Sequence, residues 1–191
     1  MDKKHIITIA GRPGSGKSTT SKAVAGQLGY GRFSSGDLFR TIGREHGLEL
    51  LDANKAAQQS DDIDGLVDRR LIEIGKSQDQ LAIDSRLAWH WIPGSFKVYL
   101  DLDLEVAARR ILANMDPIRK AHEHVPDDPK QYAKVLQHRL DLEAVRYKAK
   151  YDANPYDKSN YDLVIDTAIY APDQVVAQIL DAYHKWLGGD R

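Results

Sequence analysis

The chain contains no cysteine among its 191 residues. Disulfides and thiolate metal sites are thereby excluded, a composition compatible with the cytosol. Long apolar runs are also missing, and nothing approaches the roughly 18 residues of a membrane helix. The start, "MDKKHIITIAG", is charged and carries only a brief apolar run, too short for a secretory signal. Neither sign of charge dominates: 27 Lys and Arg face 28 Asp and Glu, for a net charge of -1. That balance argues against a globally basic nucleic-acid binder. Repeats and low-complexity segments are absent too. The expectation is a soluble, cytoplasmic monomer that handles small molecules, with no nucleic acid and no membrane. Hydrophobic residues make up 42% of the chain, enough for one domain with a real core.

What is present is an alternation of short apolar runs and amphipathic stretches. Strands are predicted over 5–10, 30–34, 80–85, 96–102 and 161–167. Helices are predicted over 17–29, 36–47, 103–114, 130–150 and 171–187, with broken helices over 53–78. Gly29 reads as a helix stop, Asp103 as a helix cap, and Pro172 as part of an opening turn. Residues 115–129, "MDPIRKAHEHVPDDP", combine proline and charge without periodicity and read as loop. Strands separated by helices predict an α/β fold, a three-layer sandwich of about five parallel strands with helices on both faces. Such sheets bind ligands at the carboxyl ends of their strands.

The first strand runs into Gly11-Arg12-Pro13-Gly14-Ser15-Gly16-Lys17-Ser18, which matches G-x-x-x-x-G-K-[ST] without a mismatch. Strand before and helix after are the context this phosphate loop requires. Glycines let backbone N–H groups turn inward around an anion, and the helix adds its positive end. Lys17 is expected on the β- and γ-phosphates and the Ser18 hydroxyl on Mg²⁺. Gly11, Pro13, Gly14, Ser15, Gly16 and Thr19 complete the expected cradle for ATP or GTP. The Asn-Lys-x-Asp base reader of switch GTPases is absent from the sequence.

A second polar turn, "FSSGDLFR" (33–40), closes the second strand. Arg40 lies three residues after Asp37, on the same side of the predicted helix. It could grip a phosphate bidentately. The same stretch reads equally well as a helix cap with a surface arginine.

The phosphate loop followed by S-x-G-D-x-[FL]-R resembles the nucleoside monophosphate kinases, the family of adenylate and cytidylate kinases. The likeness extends along the chain. "IDSRLAW" (83–89), "RLDLEAVRYKAKY" (139–151) and "NYDLVIDTAIYAPDQVV" (160–176) resemble segments of the short archaeal-type cytidylate kinases. The resemblance implies a single P-loop kinase domain with an acceptor-binding insertion near 36–78 and a lid near 113–148.

By that resemblance, ATP and Mg²⁺ sit at the phosphate loop, while Ser35, Asp37, Arg40 and Arg86 hold the acceptor. Asp84 supports Mg²⁺ together with Ser18; its bland alternative is a carboxylate capping a strand-end turn. Arg139 and Arg146 are seven residues apart, two helical turns, with Glu143 between them. They are implied as phosphoryl clamps, although such runs are more often a solvated helix face. Either Arg109 or Arg110 is implied at the donor base, with Arg110 preferred. Residues 115–138 are the expected moving part of the lid, and His122 and His124 within it are expected to be solvated. Ser85, His90, Trp91 and Asn114 depart from the family's usual residues.

The implied reaction is phosphoryl transfer from ATP to CMP or dCMP. The alternatives are another small acceptor, or a module that binds ATP without transferring phosphate.

Overall fold

The computed structural model describes residues 3–45, 61–116 and 125–189, apart from the side chains at 40, 42–45 and 61–64. The expected helix tail at 46–47, the stretch 53–60, and His122 and His124 lie outside these residues.

The elements alternate as predicted. They are β1 (Ile6–Gly11), α1 (Lys17–Leu28), β2 (Gly31–Ser34), α2 (Ser35–Glu45), α3 (Asp61–Ser77) and β3 (Leu81–Asp84). A single turn α4 (Ala88–Trp91) follows, then β4 (Phe96–Asp101), α5 (Leu104–Ala113), α6 (Pro129–Tyr151), β5 (Leu163–Asp166) and α7 (Pro172–Gly188). Sequence periodicity did not reveal α4, which is too short to show any. All strand pairs are parallel, in the order β2-β3-β1-β4-β5.

Local chemistry sets the helix ends. Gly29 stops α1 at φ 66°, a left-handed conformation that glycine adopts without steric cost. The Asp103 carboxylate caps α5 by accepting from the N–H groups of Glu105 and Val106 at 2.9 and 3.1 Å. Gln174 reaches back to accept from the Ala171 N–H at 2.9 Å, closing the start of α7.

Alternation along β1 divides the core. Ile7 and Ile9 face a cluster with Val24 of α1 and Val175, Ile179 and Tyr183 of α7. Ile6 faces the opposite layer, with Leu71 and Ile74 of α3 and Ile92 after α4. Each such aliphatic side chain contributes roughly 1.5–3 kcal/mol by leaving water. A third cluster joins α5 to the first half of α6 through Ala107, Ala108, Tyr132 and Leu136.

Register then delivers the chemistry. Ile9 lies opposite Asp84, and Gly11 opposite Leu100, so the phosphate loop leaves β1 between the ends of β3 and β4.

Candidate active site

Sequence dictates the loop's shape at its first residue. Gly11 has φ +147°, and a Cβ there would lie 2.2 Å from the Leu100 carbonyl oxygen. Only glycine lets the chain turn this close to β4. The next residue is tied down: the Arg12 N–H donates to Leu100 O at 3.1 Å. Its guanidinium donates to Leu102 O at 3.2 Å and pairs with Asp101 at 3.3 Å. Gly16, at φ 85°, opens α1. Ser15 is buried, and its hydroxyl has no partner among the described residues. An unmet buried hydroxyl inside a glycine-rich cradle is a mark of a ligand site.

Lys17 folds back on this loop. Its ammonium donates to the carbonyls of Gly11 at 3.0 Å and Arg12 at 2.9 Å. Burial, and then the Arg86 charge, pull it from the ordinary 10.5 down to about 8, against the opposing pull of Asp84 and Glu143.

Ser18 donates to Asp84 Oδ2 at 2.5 Å, joining the start of α1 to the end of β3. The pair offers oxygen donors beside a phosphate cradle. That donor set suits Mg²⁺, which takes few protein oxygens and completes its shell with waters and phosphates.

A second charged cluster is built around Glu143, whose side chain is only 13% exposed. Arg86 Nε approaches its Oε2 at 2.9 Å, and Arg139 Nε donates to its Oε1 at 3.0 Å. The Tyr156 hydroxyl also donates to Oε2. Burial pushes the Glu143 carboxyl up, but the Arg86 and then the Arg139 guanidinium outweigh it and hold it below the ordinary carboxylate range. Arg86 is raised in turn, chiefly by Glu143. Arg146 donates to the Tyr147 hydroxyl at 3.3 Å and stands 5.0 Å over that ring. The structure therefore brings Arg86, Glu143 and Arg139 together and sets them within electrostatic reach of Lys17.

At the start of α2 the capping residue is Ser34, whose hydroxyl accepts from the Asp37 N–H at 3.3 Å. The Ser35 hydroxyl is buried and has no partner among the described residues. Asp37 pairs with Arg32 at 3.3 Å. The backbone of Arg40 lies in α2, and its side chain is outside the described residues.

A cavity of about 680 Å³ opens beside the loop, lined by Gly14, Gly16, Thr19, Arg110, Thr167 and Tyr170 among others. Arg110 donates to Thr167 O at 2.8 Å, which fixes its guanidinium as one wall. Arg109 instead faces outward and pairs with Glu105 at 3.7 Å. Of the two arginines, Arg110 lines this cavity.

The helix predicted over 130–150 is observed as α6, Pro129–Tyr151. Residues 129–138, counted in the expected moving part 115–138, are therefore regular helix: Asp128 caps them, Pro129 sits in the opening turn, and Tyr132, Ala133 and Leu136 are buried against α5. Sequence reasoning missed Arg12, Tyr156, Thr167 and Tyr170. Thr167 directly follows β5, a strand-end position that could have been flagged. Tyr156 lies in an irregular stretch that carried no signal.

Fold and site define a P-loop kinase. In keeping with that class, a gluconokinase from Sinorhizobium meliloti 1021 superposes with a TM-score of 0.59 at 17% identity, covering 97% of this chain and 95% of its own. At that identity the likeness concerns the fold. A family profile described as "AAA domain" matches residues 7–149. The cytidylate kinase of Natronomonas pharaonis is 37% identical over 188 residues, 97% of this chain and 92% of that protein. The cytidylate kinase of Haloarcula marismortui is 37% identical over 185 residues, 95% and 90% of the two chains. The chain belongs to the cytidylate kinase family, in its archaeal form.

Proposed function

We propose that this chain transfers the γ-phosphoryl group of ATP to CMP or dCMP, giving the nucleoside diphosphate and ADP. The observation that carries the reading is convergence. A phosphate loop with its lysine and an arginine pair from two other segments meet around one charged centre. The names of the relatives supply cytidylate as the acceptor.

In this reading Gly11, Pro13, Gly14, Ser15, Gly16, Lys17, Ser18 and Thr19 hold the triphosphate, and Arg110 packs on the donor base. Ser35, Asp37, Arg40 and Arg86 hold the acceptor nucleotide. Lys17, Arg139 and Arg146 neutralise charge on the migrating phosphoryl group. Ser18 and Asp84 hold Mg²⁺, which supplies charge neutralisation at the phosphates. The acceptor phosphate is already ionised at neutral pH, so no strong general base is needed. The protein's work is alignment and the exclusion of water. One kinase domain, with an acceptor-binding part over 36–78 and a lid over 113–148, serves both nucleotides. We place it in the cytoplasm as a monomer; among the described residues no helix is long and apolar enough to cross a membrane.

The test is ADP release measured with ATP·Mg²⁺ against CMP, dCMP, UMP, AMP and GMP. Turnover highest with CMP or dCMP is expected. Preference for another monophosphate would overturn the acceptor, and turnover with none would overturn the kinase reading.

A further inference from the structure

We propose that Tyr156 is a positioning residue for phosphoryl transfer, acting through Glu143 on Arg86 and Arg139. The inference rests on the kinase reading above.

Three cations, Lys17, Arg86 and Arg139, face a common space, and without an anion between them they would repel one another. Two buried anions offset them: Asp84, the stronger at Lys17, and Glu143, which pairs directly with both arginines. Its orientation decides what the arginines offer. Both approach the carboxylate through Nε, one on each oxygen. A guanidinium held by its Nε edge keeps its terminal Nη groups available for a planar, two-pronged grip on phosphate. If the carboxylate turned, Arg86 and Arg139 would meet it through other nitrogens, and that grip would be lost.

Within α6, the side chain of Glu143 is tied to its own helix through Arg139, one turn away. Tyr156 supplies the tie from outside the helix. Its hydroxyl donates to Oε2, the same oxygen that meets Arg86. The ring packs against the cluster that joins α5 to α6, so the hydroxyl is delivered from a fixed body. Burial pushes the Tyr156 phenol well above its ordinary value, so it stays a donor across the working pH range. A tyrosine that only filled space would not need its hydroxyl on the one carboxylate shared by both arginines.

The test is steady-state kinetics of Tyr156→Phe, which keeps the ring and removes one oxygen. With CMP and ATP·Mg²⁺, kcat is expected to fall about tenfold, the scale of a lost hydrogen bond to a charged group. KM for CMP should rise while KM for ATP holds; the thermal midpoint should fall modestly, since a hydrogen bond to a buried carboxylate is lost. A purely structural role would move both KM values together. Glu143→Ala supplies the second arm: with no acceptor left at 143, adding Tyr156→Phe should cost nothing further. Full kcat in Tyr156→Phe, or effects that multiply in the double variant, would overturn the proposal and leave the kinase reading intact. A wild-type chain that turns over no monophosphate would sink both.

Discussion

In the proposed reading, the donor half and the acceptor half of this site are made differently. The donor half is one local object. Residues 11–18 turn on themselves, bond to β4, and carry their lysine on their own carbonyls. The acceptor half is assembled from distant stretches. Arg86 follows β3, Arg139 and Glu143 sit on α6, and Tyr156 lies beyond it. A local site can lose a side chain and keep its shape. A dispersed site built on a shared buried charge cannot, because each partner also neutralises the others.

The sharpest probe of that difference is Lys17→Met. It should lower kcat/KM for ATP by about a thousandfold or more, since it removes charge from the phosphates. The thermal midpoint should hold, because the ammonium contacts only loop carbonyls. A large loss of stability would break the comparison.

Arg86→Ala comes next. A loss of about a hundredfold in kcat is expected, together with a destabilisation of about 3 kcal/mol from leaving Glu143 underpaired. Chemical denaturation reads the second effect. An unchanged midpoint would mean that the acceptor half is as local as the donor half.

Acidity separates the halves further. Lys17 in the free enzyme loses its proton as pH rises through about 8. Above that value kcat/KM for ATP should drop, by up to about tenfold per pH unit. Bound triphosphate favours the charged ammonium, so kcat at saturating ATP should stay flat there. The sign for stability is opposite. Between about 8 and 10.5 the unfolded chain holds a proton on Lys17 that the folded chain lacks, so this group's contribution to stability rises with pH in that window.

The smallest expected effect is at the rim of the donor cavity. Arg110→Ala should raise KM for ATP about fivefold through lost packing on the base, with KM for CMP unchanged. A matching change in the acceptor KM would show that the two halves are coupled through α5.

The same contrast explains what could be read from sequence. The phosphate loop was legible because its chemistry is contiguous, and the parallel sheet because strands and helices alternate with clear periods. Arg86, Glu143 and Arg139 were legible only by resemblance. That the two arginines meet on one carboxylate depends on the tertiary placement of α6 beside the segment after β3, which no local pattern encodes. The opening turns of α6 were legible as helix, but not as packed against α5, because lysines and glutamines outnumber the buried apolar positions there. Arg12 sat in a variable position of the motif, and its anchor, Asp101, is some ninety residues away.

The Glu143 junction bears on how such enzymes can be recombined. It ties three stretches of chain, near residues 86, 143 and 156, into one circuit. The stretch around Glu143, transplanted alone from a relative, would arrive without its counterparts and leave open ends in buried ground. The workable exchange unit is therefore the set of three, and chimeras cut between them should express as kinases that bind ATP and transfer little.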